Sequence, residues 1–177
     1  MPSGKTHDAI TILLSVPTFA FAYRITDELN APMILTAGFL FGGFIFGPDL
    51  DTVSRQYRRW GIFRFLWLPY RVIIEHRSRL SHGLIFGAAF RVIYFAGVTT
   101  LFLFAVAYVL ALKANMQPPG FIEILESWKG LISQIEKHFG EGAPFYFFGG
   151  IWLGSASHTL TDVAITFIKT GKVKNFL

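Results

Sequence analysis

Cysteine is absent from this chain of 177 residues, and charged side chains are scarce. The lack of thiols excludes disulfides, thiolate metal sites and cysteine nucleophiles. Only 15% of the residues are charged, against about 25% in a typical soluble domain, whereas 53% are apolar and 20 are phenylalanine. This composition is typical neither of a disordered chain nor of an ordinary soluble surface. Any bound metal ion must therefore be held by histidine, aspartate or glutamate.

Four apolar stretches organise the chain, with no strand-and-turn rhythm and no internal repeat between them: residues 9–23, 31–46, 92–112 and 144–168. The third carries no charge and, as a helix, would be about 31 Å long, enough for a hydrocarbon core of roughly 30 Å. We therefore predict an all-α fold, a multi-pass membrane helical bundle of about four apolar helices that forms a single domain over residues 1–177. A buried bundle in a soluble protein is the alternative.

The spacing of the glycines in these stretches favours close helix packing. Glycines recur four residues apart, for example Gly38 with Gly42 and Gly150 with Gly154, a spacing that allows helices to approach closely in membranes.

The first stretch also resembles a signal peptide, because Lys5 precedes it and Ala-Phe-Ala ends it at residues 20–22. We expect it to be retained, since the residues around His7 are atypical of a signal peptide.

The formal net charge of +5 is compatible with nucleic acid, anionic lipid or a positive-inside membrane protein. Seven arginines and no lysine lie within residues 48–82, and three lysines lie within the tail, residues 169–177. By the positive-inside rule both regions are cytoplasmic, so the N-terminus is cytoplasmic and residues 113–143 are extracytoplasmic. We therefore expect a protein of the bacterial inner (plasma) membrane or another internal membrane.

Aromatic residues alternate with the arginines of residues 48–82, among them Tyr57, Trp60, Trp67 and Tyr70. A nucleic-acid surface would use such a pattern for stacking and phosphate contacts. Tyrosine and tryptophan also prefer the headgroup level of a membrane, and arginine binds lipid phosphates. We favour an interfacial helical segment with membrane lipid, and not nucleic acid, as its partner.

His158 and Asp162 are four residues apart in the last apolar stretch, so on a helix they project from one face. A lone charged carboxylate within a membrane span costs about 2.5–3.5 kcal/mol on insertion scales. Such residues usually pair, line a wet cavity or bind a cation. A His–Asp hydrogen bond that joins helices is the alternative to metal binding.

Asp49 and Asp51 follow the second apolar stretch in a turn that contains Pro48. Their spacing lets both carboxylates converge on one cation or on two adjacent cations. For Asp51 an equally good interpretation is that it caps a helix beginning at Thr52.

His76 and His82 precede the third apolar stretch, and a turn between them would direct both imidazoles to one site. Ser78 or Ser81 would cap the following long helix and so place His82 at its N-terminus, where anions bind. Arg77, next to His76, suits a phosphoryl oxygen, with lipid headgroup contact as the alternative.

The predicted topology brings all of these groups to the cytoplasmic end of the bundle. His7 lies just before the first apolar stretch, and His138 is expected to be an ordinary surface residue of the outer segment. The expected metal ligands are His7, Asp49, Asp51, His82, His158 and Asp162. We predict catalytic roles for His76, as an acid or base, and for Arg77, which would stabilise phosphoryl charge.

These ligand types suit a divalent ion, with zinc expected first and Mn, Fe(II) or Mg as alternatives. The number of candidate groups exceeds the four ligands of one tetrahedral site, so two metal ions are conceivable.

Several blocks of sequence together resemble a family. They are the start up to His7, residues 47–52, 57–61, 67–70 and 76–83, and Ser157-His158 with Asp162. They resemble an uncharacterised bacterial family of metal-binding membrane proteins, which implies metal binding without a reaction. The Pro-Asp-x-Asp turn, the His-Arg block and the late His with Asp resemble, more distantly, the YdjM-like membrane-bound metal-dependent hydrolases.

The functional prediction is a membrane-embedded protein that binds a divalent metal, a metal-dependent hydrolase of a phosphoester or lipid-like substrate at the cytoplasmic face. The alternative is a non-catalytic metal-binding or metal-handling membrane protein. The same ligands would serve both functions.

Overall fold

A computed structural model describes residues 3–76 and 78–171 of the chain, and within these ranges it contains helices and no strand. The α-helices are α1 Gly4–Thr26, α2 Asn30–Phe44, α3 Arg55–Arg59, α4 Leu68–Ile73, α5 Arg79–His82, α6 Phe86–Lys113, α7 Phe121–Phe139 and α8 Ala143–Thr170. Two 3-10 helices, Pro48–Asp51 and Gly61–Trp67, connect the short helices in the middle of the chain. The prediction of an all-α fold is confirmed.

Among the described residues, three segments are long and apolar enough to cross a membrane: Gly4–Thr26, Asn30–Asp51 and Phe86–Lys113. The fourth apolar stretch is helical, as predicted, but α8 does not belong to this group. Its middle carries serine, threonine, histidine and aspartate side chains that lower its hydropathy. The first helix is longer than its apolar stretch because it includes His7, with Ser3 as its N-cap.

Helices α2 and α8 cross closely through the glycines that the sequence singled out: Gly38, Gly42, Gly150 and Gly154. A methyl group on Gly42 would overlap the backbone of Ile151, and one on Gly154 would overlap the backbone of Phe39. The two helices therefore approach at backbone distance, as small residues allow. Helix α1 packs along the other side of α2, where the Thr11 side chain lies against Gly43.

The arginine- and aromatic-rich segment 48–82 folds back on the bundle and packs part of its aromatic residues into the core. Trp67 and Tyr70 are fully buried in a hydrophobic core with Phe46, and Trp67 stacks on Phe95 of α6 with ring centroids 5.7 Å apart. Tyr57 is buried in the same core. The burial of these three rings stabilises the fold of the segment itself, and the interfacial position of the segment stays a prediction.

Two arginines of this segment form ion pairs with an aspartate of α1. Arg55 and Arg59 donate hydrogen bonds of 2.7–2.8 Å to the carboxylate of Asp8 on α1. This fixes α3 beside the N-terminal end of α1, next to the turn that carries Asp49.

Helix α6 leaves the core about halfway along its length. Its first half packs on the segment 48–82, whereas Leu101, Val109 and Leu110 in its second half are about half exposed. A helix of 28 residues is about 42 Å long, and α7 packs against the second half of α6, away from α5. There the indole of Trp128 donates a hydrogen bond of 2.8 Å to Thr100.

Candidate metal centre

Seven candidate groups predicted from the sequence lie together where four parts of the fold meet. The N-terminal part of α1 carries His7, and the 3-10 turn after α2 carries Asp49 and Asp51. The other positions are His76 just before α5, His82 at its end, and His158 and Asp162 in the middle of α8. The prediction that these residues gather at one end of the bundle agrees with this arrangement.

The carboxylates and imidazoles alternate through this centre. Nε2 of His7 lies 3.3 Å from Oδ1 of Asp162, whose Oδ2 is 3.8 Å from Nε2 of His158. The same His158 nitrogen is 3.4 Å from Oδ2 of Asp49. The His7 and His158 rings stack with their centroids 3.6 Å apart. These four side chains form the half of the centre next to α1 and α8.

The second half begins at the other oxygen of Asp49. Oδ1 of Asp49 lies 3.4 Å from Nε2 of His82, and Nδ1 of His82 lies 3.5 Å from Oδ2 of Asp51. Oδ1 of Asp51 is 2.9 Å from Nδ1 of His76. Asp49 therefore stands between the two halves, with one oxygen directed to each.

Ligand atoms within 4.8 Å of one another define three overlapping sets that would suit a cation. The first is His7, His158 and Asp162; the second is Asp51, His76 and His82; the third is Asp49, His82 and Asp162. Nitrogen and carboxylate donors of this kind fit zinc, manganese or iron(II). The two oxygens of Asp49 face ligand atoms on either side, so the residues present could hold one cation or two.

Unsatisfied buried atoms support this fit. Nε2 of His158 and Oδ1 of Asp162 are buried and make no hydrogen bond, although carboxylate or imidazole atoms lie nearby. The 3.8 Å between Nε2 of His158 and Oδ2 of Asp162 is too long for a hydrogen bond, whereas the His–Asp contact that joins two helices, from His7 of α1 to Asp162 of α8, is 3.3 Å. Buried polar atoms are normally paired, and nitrogen and oxygen atoms without a hydrogen bond at this place would fit a bound cation.

The charge of the centre points the same way. Within the described residues, the ion-pair contacts of Asp49 and Asp162 are all with imidazoles. Asp162 is nearly fully buried, and a buried carboxylate without a full positive charge beside it is costly. Divalent cations would supply that charge.

Gln56, which sequence reasoning missed, holds the turn that carries Asp49. Its side-chain amide donates to the carbonyl of Gly43 at 2.8 Å and accepts from the backbone N–H of Asp49 at 3.1 Å. The same amide nitrogen lies 3.4 Å from Nδ1 of His158. A side chain on Gly47 would overlap Gln56. Nothing in an arginine-rich stretch of sequence distinguishes this glutamine from a surface residue.

Arg91 of α6, also missed, is completely buried behind the centre. It donates hydrogen bonds to the carbonyls of Phe46 and Ser81 and to the hydroxyl of Ser155. These contacts join the end of α2, α5 and α8 around the ligands. Tyr70 lies beside it, and burial raises the pKa of Tyr70 to about 12, so its phenol stays neutral. A single arginine directly before the third apolar stretch was the available sequence signal.

Two capping predictions are wrong. Ser54, and not Asp51, caps α3, so the Asp51 carboxylate faces His76 and His82 instead. Ser78 caps the one-turn helix α5 rather than the long helix, and His82 is the last residue of α5. The long helix α6 begins only at Phe86.

Arg77 and His138 are the two other residues for which the sequence made a prediction. Arg77 lies outside the described residues. His138 is exposed on α7, with Nδ1 2.8 Å from the carbonyl of Gln134, and belongs to the opposite end of the molecule.

Histidines and aspartates gathered in this way within a helical fold are typical of helical metal-binding proteins. Residues 2–172 match the model of the family described as "Uncharacterized metal-binding protein (DUF2227)", and the chain belongs to this family. The predicted resemblance to an uncharacterised metal-binding family is thereby confirmed. An uncharacterized protein of Aquifex aeolicus (strain VF5) is 30% identical over 141 residues, which cover 75% of this chain and 89% of that protein. No solved structure matches the chain.

Proposed function

We propose that the protein is a membrane-embedded, metal-dependent hydrolase that acts on a phosphoester or lipid-like substrate at the cytoplasmic face. The observation that carries the proposal is the position of Asp49 between two sets of histidine and aspartate ligands. The resemblance of the His-Arg block and the late His with Asp to the YdjM-like hydrolases supports the same reaction class.

The proposed ligands are His7, Asp49, Asp51, His82, His158 and Asp162. A divalent cation held by them would polarise a scissile phosphoryl oxygen and make water a better nucleophile. Zinc is the first candidate, because imidazole and carboxylate donors converge there in the absence of thiolates. Gln56 and Arg91 would position the ligands, as hydrogen-bonded neighbours of metal ligands commonly do.

His76 and Arg77 are the proposed catalytic residues. The His76 side chain is 41% exposed and its Nδ1 contacts the buried Asp51 carboxylate. An imidazole oriented by a carboxylate at the edge of the centre suits a general acid or base. Arg77 follows it in sequence and is assigned to the developing phosphoryl charge.

The test compares metal content and activity in purified protein. We expect the wild type to contain metal and to hydrolyse bis(p-nitrophenyl) phosphate or phosphatidic acid. Arg77→Ala should keep the metal and lose activity, whereas Arg64→Ala, an exposed arginine of the same segment, should keep both. A metal-loaded wild type that hydrolyses no phosphoester, or equal activity of Arg77→Ala and the wild type, would contradict the hydrolase proposal.

A non-catalytic metal-binding or metal-handling function is the second candidate. The burial of three imidazoles favours it, since His7, His82 and His158 are each at most 5% exposed. A closed ligand set is typical of structural sites, whereas catalytic sites keep an open position. Bound metal without activity in the comparison above is the result that this candidate predicts.

Membrane insertion and orientation are the last part of the proposal. The cysteine-free chain permits single-cysteine reporters without a background reaction. In intact cells a membrane-impermeant maleimide should label Asn115→Cys at once, and should label Arg58→Cys only after permeabilisation. Labelling of Arg58→Cys in intact cells would reverse the proposed orientation, and loss of both proteins from the membrane fraction would remove the membrane proposal.

A further inference from the structure

An apolar groove of about 580 Å³ runs between α1, α2 and α8. Its lining includes Leu14, Phe21 and Ile25 of α1 and Leu153 and Leu160 of α8. These five side chains remain 37–70% exposed, although an occupant of the groove would bury them. The volume lies within the roughly 300–1,000 Å³ of pockets that hold one small ligand.

Three of the four hydroxyl groups in the lining already donate within their own helices, and the fourth belongs to Tyr146. Thr18 donates to the carbonyl of Leu14 at 2.8 Å, Thr26 to that of Ala22 at 3.0 Å and Ser157 to that of Gly154 at 2.8 Å. An extended peptide needs a partner for every backbone N–H and C=O, more than these few hydroxyls offer, whereas a hydrocarbon chain needs none.

The groove begins close to the candidate metal centre. His7, Thr11 and Leu14 follow one another at helical spacing on one face of α1, so the groove begins one turn beyond the buried Thr11. On α8, Ser157 lines the groove and is the residue directly before His158. The end of the groove marked by Leu14 is therefore the one nearer to the centre.

The length of the groove suits one particular occupant. From Leu14 to Ile25 it follows α1 for about 17 Å at about 1.5 Å per residue. This is close to half of the roughly 30 Å hydrocarbon core of a bilayer, the depth that one lipid chain spans. An acyl chain in the groove would cover the exposed leucine, isoleucine and phenylalanine side chains along its whole length.

We propose that the groove binds a single acyl chain of an anionic amphiphile, whose phosphate or carboxylate head group reaches the metal centre. The placement of the head group rests on the proposed function, whereas binding of the chain does not. The substrate class that follows is a lipid with one chain held between α1 and α8.

The experiment uses full-length protein in phosphatidylethanolamine–phosphatidylglycerol vesicles with palmitic acid that carries a photoactivatable diazirine on its chain. Cross-links mapped by mass spectrometry should fall on residues 14–25 and 153–160, and excess unlabelled palmitate should suppress them about tenfold. Cross-links on residues 101–112 of α6 serve as the internal control, because those side chains would meet bulk lipid without a defined site. Equal competition at both places would overturn the proposal.

Two tryptophan variants of α1 sharpen the result. Thr18→Trp fills the middle of the groove and should remove the competable cross-links, whereas Ala20→Trp lies on the same helix outside the groove lining and should retain them. If Thr18→Trp does not fold, Leu153→Trp blocks the groove from α8 and is read in the same way. Competable cross-linking that persists in a folded blocked variant would contradict binding in the groove.

The placement of the head group is tested by letting unlabelled amphiphiles compete with the photoactivatable palmitic acid, in the wild type and in His158→Ala. Hexadecyl phosphate or palmitate should compete better than hexadecanol in the wild type, and the better of the two anions identifies the head group. In His158→Ala this advantage should vanish while cross-linking of the groove persists. Equal competition by hexadecanol in the metal-loaded wild type would overturn the placement of the head group. Failure of the hydrolase assay with these cross-links intact would count against the proposed function alone.

Discussion

Helices α6 and α8 are both 28 residues long and largely apolar, yet they hold different places in the molecule. Helix α8 buries Ser155, His158 and Asp162 at the centre, whereas the leucines and valines in the second half of α6 are exposed. A soluble protein buries its apolar side chains and exposes its polar ones. The contrast teaches that the polar residues that lower the hydropathy of α8 are the ones with which it builds the centre.

The largest effect should come from removing a ligand on α8 and leaving the outer histidine in place as a control. His158→Ala should weaken binding of the divalent ion more than about 100-fold, since even neighbours of metal ligands contribute about 10–100-fold. His138→Ala should bind metal like the wild type, because its ring lies on exposed α7. Equilibrium dialysis with elemental analysis measures both, and equal loss in the two variants would remove the distinction between the two ends of the molecule.

A second comparison replaces one glycine of α8 and one glycine of α6 by leucine. Gly154→Leu should destabilise the fold by about 1–3 kcal/mol or more, because its side chain would overlap the backbone of α2. Gly97→Leu on α6 has open space around it and should be close to neutral. Unfolding in detergent, followed by circular dichroism, measures the difference. Equal stability of the two variants would refute the close crossing of α2 and α8.

A smaller effect is expected from the glutamine that supports the centre. Gln56→Met removes the hydrogen bonds to Gly43 and to the backbone of Asp49, and should lower metal affinity about tenfold or somewhat more. Gln134→Met on exposed α7 is the matched control and should leave affinity unchanged. An unaltered affinity in Gln56→Met would show that the Asp49 turn holds its position without this residue.

The smallest effect should come from removing the surface ion pairs of α1. Asp8→Ala removes the contacts to Arg55 and Arg59, which are 48% and 31% exposed, and should cost less than about 1 kcal/mol of stability. Metal affinity should not change. A large drop in affinity on titration with zinc would instead make Asp8 part of the centre that adjoins it.

The comparison also explains how much the sequence could predict. The helices follow from long apolar stretches, and the site residues follow from histidines and aspartates that topology brings to one end. The fold of residues 48–82 could not be derived, because its short helices depend on distant partners such as Phe95 for Trp67. Gln56 and Arg91 were missed for the same reason, since their roles arise from contacts with residues far along the chain.

The most direct test of the central claim is anomalous diffraction from crystals of the metal-loaded protein. The claim predicts a peak next to a carboxylate oxygen of Asp49, at about 2.0–2.1 Å from an imidazole nitrogen of His158 or His82 if the metal is zinc. A second peak on the other side of Asp49 would establish a centre with two ions. A metal-replete crystal without a peak among these residues would contradict the claim.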